Sequence, residues 1–100
     1  DFNFTRDCLK VYSALVSPFE QHNKQFTLGA TSSIIYMTSL LTNIKLRQID
    51  IASKLEISEI SIRTNLKQIC IILGIDQTKE KNSRYLSKLT LEEFIHGVFK

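Results

Sequence analysis

The chain has 100 residues, 43% of them hydrophobic and 23% charged, with three glycines, one proline and no tryptophan. That is one domain with enough apolar material for a core, which excludes collagen-like and disordered classes. No apolar stretch approaches the roughly 20 residues that cross a bilayer, so no membrane contact is expected, and the formal net charge of +3 is modest.

Few turn formers and an apolar set rich in isoleucine and leucine point to an all-α fold. Residues 4–17 place Phe4, Cys8, Val11, Tyr12 and Leu15 at helical spacing, with Asn3 as N-cap and Pro18 as the stop. A polar connector at 20–25 follows. Thr27 then caps a second helix, 28–42, whose first half is built from the small residues Gly29, Ala30, Thr31, Ser32 and Ser33. Its second half is bulky and apolar on most faces, which predicts the central helix of a bundle, with Tyr36 and Met37 as core.

The segment RQIDIASKLEISEISIRTNLKQICIIL at 47–73 divides into a short helix, 48–55, a tight turn at Glu56-Ile57, and a longer helix, 59–73, capped by Ser58. This is the spacing of a helix-turn-helix. Ile51, Leu55, Ala52, Ile57 and Ile62 are its expected interior. Glu56 stands where glycine usually supplies a left-handed turn, and Asn65 stands where an apolar residue is usual, with Leu66 one place later.

At 100° per residue, Ile62, Leu66, Ile69, Cys70 and Leu73 fall on one inward stripe of the longer helix, and Ile60, Arg63, Thr64 and Lys67 gather opposite. In a major groove Arg63 would donate a bidentate pair to guanine and Ile60 would touch a thymine methyl. Thr64 would read a base or hold a phosphate, and Lys67 would contact a phosphate. The same face also reads as an ordinary solvated surface with one stray isoleucine.

Gly74 reads as a C-cap, residues 76–83 as a mobile basic loop, and Thr90 with Glu93 as a capping box for a short helix, 91–99, with Leu91, Phe94, Ile95 and Val98 on its apolar stripe. That helix folds back on the domain or docks on a partner; the sequence leaves both open. Residues 1–75 therefore form the main helical unit, with the helix-turn-helix at 47–73, and residues 76–100 a loop and terminal helix. The basic surplus lies in the middle and tail: residues 41–90 hold nine basic side chains against five acidic ones. It suits a polyanionic partner and equally a solvated surface.

Cys8 and Cys70 lack the spacing of a disulfide framework or zinc site and read as small buried hydrophobes in a reducing compartment. His22 and His96 read as solvated. The chain has no G-x-S-x-G, phosphate-binding glycine loop, H-E-x-x-H or paired carboxylates, so neither catalysis nor a metal or cofactor is expected. No signal peptide is read at the start, and the absence of an initial Met fits a processed product or an excised piece.

SSIIYMTSLL at 32–41 together with RQIDIASKLEISEISIRTNLKQI at 47–69 resembles the second cyclin-like repeat of the TFIIB family of transcription initiation factors. There, a small-residue helix with an Ile-Tyr-Met-Ala-Ser-like phrase precedes a Gln-x-(Glu/Asp)-Ile-Ala helix and then a segment corresponding to Ile60-Ser61-Ile62-Arg63. The Asn65-Leu66 pair also matches. SKLTLEEF at 87–94 is similar to the phrase after the second repeat in the RNA polymerase III relatives called Brf.

The resemblance implies a cyclin-like helical bundle with a helix-turn-helix, one repeat lacking its first helix, as in an excised or divergent C-terminal portion. It implies promoter DNA, TATA-binding protein and RNA polymerase as partners, and carries base contact onto Ile60 and Arg63, with Ser61 and Thr64 alongside; Lys67 and Arg47 complete the set of expected DNA-binding residues. Arg47 replaces the usual Thr at the start of the short helix. The chain is expected to be monomeric in isolation and intracellular: nuclear in a eukaryote, cytoplasmic in an archaeon, or at a viral replication site. Two other readings stand beside this one: a cyclin-type protein-interaction module without DNA contact, and a stand-alone helix-turn-helix regulator.

Overall fold

The computed structural model describes residues 2–76 and 78–97. Among them are six helices and no strand: α1 (Phe2–Gln21), α2 (Leu28–Leu41), α3 (Gln48–Leu55), α4 (Glu59–Ile72), α5 (Asn82–Ser87) and α6 (Leu91–Ile95). None is long and apolar enough to cross a membrane.

α2 is the hub, packing against each of the other five helices. A buried helix with this many hydroxyls must satisfy them internally, and it does. Ser32, Thr38 and Ser39 each donate to a carbonyl of α2 itself, at 2.6, 2.8 and 2.6 Å. Ser33 donates across to Ile62 O of α4 at 2.7 Å, a direct stitch between the two helices. The small-residue stretch also has a steric purpose. A Cβ on Gly29 would lie 2.5 Å from Asn65 Nδ2 and 2.8 Å from Ser61 Oγ, so the α2–α4 crossing is as close as it is because position 29 carries no side chain.

α1 differs from the sequence expectation at both ends. It begins at Phe2, which places Asn3 inside the first turn instead of at the cap. It also runs through Pro18 to Gln21. Proline in a helix interior costs about 3 kcal/mol. The opposing gain comes from Phe19, which is 1% exposed and stacks on Phe26 at 4.3 Å, with Tyr12 at 4.3 Å on the same Phe26 ring. Burying a Phe contributes about 1.5–3 kcal/mol and an aromatic pair about 0.5–1.5 kcal/mol more, enough to carry the helix one further turn. Tyr12 accordingly lies partly exposed over Phe26 and not in the core.

Four helices end in the same way. The residue after the last helical positions takes a left-handed conformation at Asn23 (φ 52°), Asn43 (φ 57°), Glu56 (φ 55°) and Gly74 (φ 77°). In each case the next amide reaches back five residues, as in Lys24 N to Phe19 O, Ile44 N to Ser39 O, Ile57 N to Ala52 O and Ile75 N to Cys70 O, at 2.9–3.0 Å. This is the Schellman closure, built on glycine or asparagine at three of the ends and on glutamate at one. A left-handed residue with a Cβ costs about 1–2 kcal/mol, offset in part by the backbone freedom that glycine loses on folding. Glu56→Gly is therefore expected to stabilise the chain by about 0.5–1 kcal/mol and raise the thermal midpoint by about 2–8 °C. A lower midpoint in a calorimetric scan would mean that the Glu56 side chain itself stabilises the turn.

The end of the expected 76–83 loop is helical. Residues 82–87 form α5, and Leu86 is fully buried. α6 has the Thr90–Glu93 capping box, with Thr90 N donating to Glu93 Oε1 at 2.9 Å and Glu93 N to Thr90 Oγ1 at 3.1 Å. It ends at Ile95, short of the expected 99; Val98 lies outside the described residues. Phe94 folds back into the core: Leu86 and Phe94 share one cluster with Val11, Leu15, Met37 and Leu66. A second, smaller cluster joins Ile51 and Ala52 of α3 to Ile62 of α4, with Ile35, Leu55 and Ile57 packed on it.

Candidate functional site

α3 and α4 meet through the three-residue turn 56–58, and two local features set where α4 begins. Glu56 reverses the chain, and Ser58 Oγ accepts from Ser61 N at 3.1 Å, capping α4. With that start, Ile62, Leu66, Ile69 and Cys70 turn inward and are buried. Ile60, Arg63, Thr64 and Lys67 are exposed, with Ile60 at 66%. The structure thus brings these four expected site residues onto one free helix face.

Arg47 lies beside that face as the N-cap residue of α3. Its guanidinium grips Asp50 in a bidentate pair, Nε to Oδ2 at 2.9 Å and Nη2 to Oδ1 at 3.1 Å. Hydrogen bonding to Asp50 raises the Arg47 pKa, and hydrogen bonding to Arg47 holds the Asp50 carboxyl below the usual carboxylate range. Its neighbour Gln48 accepts from Arg63 Nη1 at 3.3 Å, which ties the start of α3 to the outward side of α4. Arg63 also has Glu59 Oε1 at 3.9 Å. Lys67 has no ion-pair partner among the described residues.

Ser61 is the one α4 candidate not on this face. It is half-buried and turned to α2, where its Oγ crowds the space above Gly29.

Sequence reasoning passed over the polar seam next to it. Lys24, in the α1–α2 connector, donates to Asn65 Oδ1 at 3.1 Å and to Gln68 Oε1 at 2.9 Å, with its ammonium 5.8 Å above the Phe19 ring. Asn65 Nδ2 donates to Ser61 O at 2.8 Å. Asn65 is polar because it faces Lys24 and the Gly29 crossing, while Leu66 fills the core. The polar-then-apolar order of residues 65 and 66 was the visible signal; the Lys24 partner, 41 residues earlier, was not.

Other chemistry is sparse. Among the described residues no group of three His, Cys, Asp or Glu side chains gathers to hold a metal. Cys70 is fully buried and its thiol is pushed up to about 11 by that burial; Cys8 is half-buried and raised for the same reason. An open cleft of about 640 Å³ between α1 and α6 is lined by Leu9, Lys10, Glu92, Ile95 and His96 among others. Compared with protein-family models, curated proteins and solved structures, the chain gives no match.

The α4 face offers a guanidinium fork, a hydroxyl, an ammonium and an apolar tip within two helical turns. Arg63 on this face and Arg47 beside it are held only by exposed side-chain partners, which exchange readily for other anions.

Proposed function

We propose that the chain is a DNA-binding module of the TFIIB type, a cyclin-like repeat that acts on promoter DNA beside TATA-binding protein and supports recruitment of RNA polymerase. In this reading α3 and α4 form a helix-turn-helix, and the N-terminal half of α4 enters the major groove. The observation that carries the reading is the free face of Ile60, Arg63, Thr64 and Lys67, flanked by Arg47 and backed by a buried stripe. Ile60, 66% exposed at the first turn of α4, supplies the apolar tip of that face.

Each residue then has a role. Arg63 leaves Gln48 and Glu59 to fork onto guanine, Ile60 packs on a thymine methyl, and Thr64 reads a base edge or phosphate. Lys67 and Arg47 hold phosphates and set the register. Ser61 keeps the helices close and touches no base.

The test is a gel shift of the chain on a TATA-containing duplex with TATA-binding protein, at two salt concentrations, with Arg63→Ala alongside. We expect a ternary complex that weakens steeply with salt, and a loss of about 1–3 kcal/mol of affinity in the variant. A complex indifferent to both would overturn the reading. No complex at low salt from a folded chain would favour protein interaction without DNA contact.

A further inference from the structure

The α2–α3 connector and α5 border an open depression of about 240 Å³. Lys45, Arg47 and Ser87 line it, beside the half-buried Tyr36 and Leu40, and no acidic side chain is among its lining residues. Arg84 stands one turn before Ser87 on α5, so it shares that helix face. Lys45 and Arg84 are both exposed, and neither has an ion-pair partner among the described residues.

Lys45 lines the depression, and Arg84, 39 residues later in the chain, stands one turn from the lining residue Ser87 on α5, the helix that the buried Leu86 docks on α2. The depression is continuous with the α4 face. Arg47 belongs to the depression, and the adjacent Gln48 accepts the hydrogen bond from Arg63 at 3.3 Å.

We infer that Lys45, Arg47 and Arg84 form a second contact track, holding the sugar–phosphate backbone of the same duplex that α4 reads. The inference rests on the DNA reading above and extends it to α5. Phosphate is the fitting ligand because the group supplies charge and donors without a base-reading set. The Arg84 fork suits phosphate oxygens bidentately, Arg47 would exchange its exposed Asp50 partner for a phosphate, and Lys45 adds a point charge. Such contacts position a protein and add affinity without sequence preference. The loop-and-α5 segment, basic in sequence, thereby lengthens the footprint on the backbone beyond the recognition helix.

The experiment measures the binding constant of the full chain for a TATA-containing duplex and for a scrambled duplex of equal composition, across a salt series. Wild type is compared with Lys45→Gln/Arg84→Gln, with the charge-conserving Lys45→Arg/Arg84→Lys, and with Arg6→Gln/Lys10→Gln, which removes equal charge from α1. We expect the first variant to bind both duplexes on the order of 10- to 100-fold more weakly at low salt. Its log–log salt slope should be smaller by about 1.8, two contacts at roughly 0.9 each. Preference between the duplexes should not change. The charge-conserving variant should keep the wild-type slope, and so should the α1 variant.

An unchanged slope in Lys45→Gln/Arg84→Gln, with wild type binding normally, overturns the track alone. An equal fall in slope for the α1 variant also overturns it, since net charge would then be the cause. Wild type binding neither duplex overturns the track, and the ternary complex with TATA-binding protein then decides the DNA reading separately.

Discussion

Replacing Phe94 by alanine is expected to cost about 3–5 kcal/mol of stability, a large part of the roughly 5–15 kcal/mol that holds a domain together. Phe94 is 2% exposed and belongs to the cluster that also contains Val11, Leu15, Met37 and Leu86. α6 is only five residues long, too short to be stable by its own hydrogen bonds. The Phe94 ring ties it to the core, and the Thr90–Glu93 capping box closes its first turn. Urea unfolding followed by circular dichroism should show a lower midpoint with an unchanged slope, which separates lost packing from a changed unfolded state.

A cost under about 1 kcal/mol would mean that α6 is an appendage whose site collapses without loss. Leu86→Ala, at 0% exposure on α5, gives an independent reading of the same question. The outcome also bears on function. A phenylalanine buried in the core is not a free handle for a partner, so loss of partner capture in Phe94→Ala would report unfolding, and Leu9 or Ile95 beside the α1–α6 cleft would be the cleaner probes.

Local signals made the middle of the fold legible. Thr27, Ser58 and Thr90 each carry a hydroxyl that caps a helix starting at the next residue, and their helices begin where those residues require. The inward stripe of α4 follows from spacing alone, and so does the exposure of Ile60, Arg63, Thr64 and Lys67. Glu56 was legible as a strained position because turn geometry demands a left-handed residue there whatever the side chain.

What escaped the sequence depended on distant partners. Pro18 is a reliable stop only when nothing beyond it has a better use, and Phe19 has one in Phe26. α5 carries one deeply buried side chain in six residues, which is no periodicity at all; its existence depends on the pocket that receives Leu86. The Lys24–Asn65 bond and the Arg47–Asp50 grip were invisible for different reasons. The first spans 41 residues, and the second is a short-range pair that composition cannot tell from any other. That grip matters for the candidate site, because it lowers the free positive charge that the basic count suggested.

Ile62→Ala tests how far the candidate site depends on the core beneath it. Ile62 is fully buried in the smaller cluster, which also contains Ile51 and Ala52 of α3 and has Ile35 of α2 packed against it. Its carbonyl takes the Ser33 hydroxyl at 2.7 Å, so backbone and side chain both fix this turn of α4. Truncation to alanine should cost about 2–5 kcal/mol, and Ile62→Val about 0.5–1.5 kcal/mol. The two differ in more than size, since valine retains the β-branch that fills the α3–α4 contact.

Arg63 is the next residue and Ile60 precedes by two, so rotation of α4 about its axis moves the outward face as one unit. On the proposed DNA reading, and at a temperature where both variants are folded, Ile62→Val should bind the TATA-containing duplex as wild type does. Ile62→Ala should bind more weakly, and with less discrimination against a scrambled duplex than its stability loss accounts for. If Ile62→Ala costs under about 1 kcal/mol, the cluster closes around the vacancy and α3 fixes α4 by other means. If it costs several and yet binds with full discrimination, the orientation of the outward α4 face is set by the Ser33 bond and the Gly29 crossing, and the α3–α4 cluster serves stability alone.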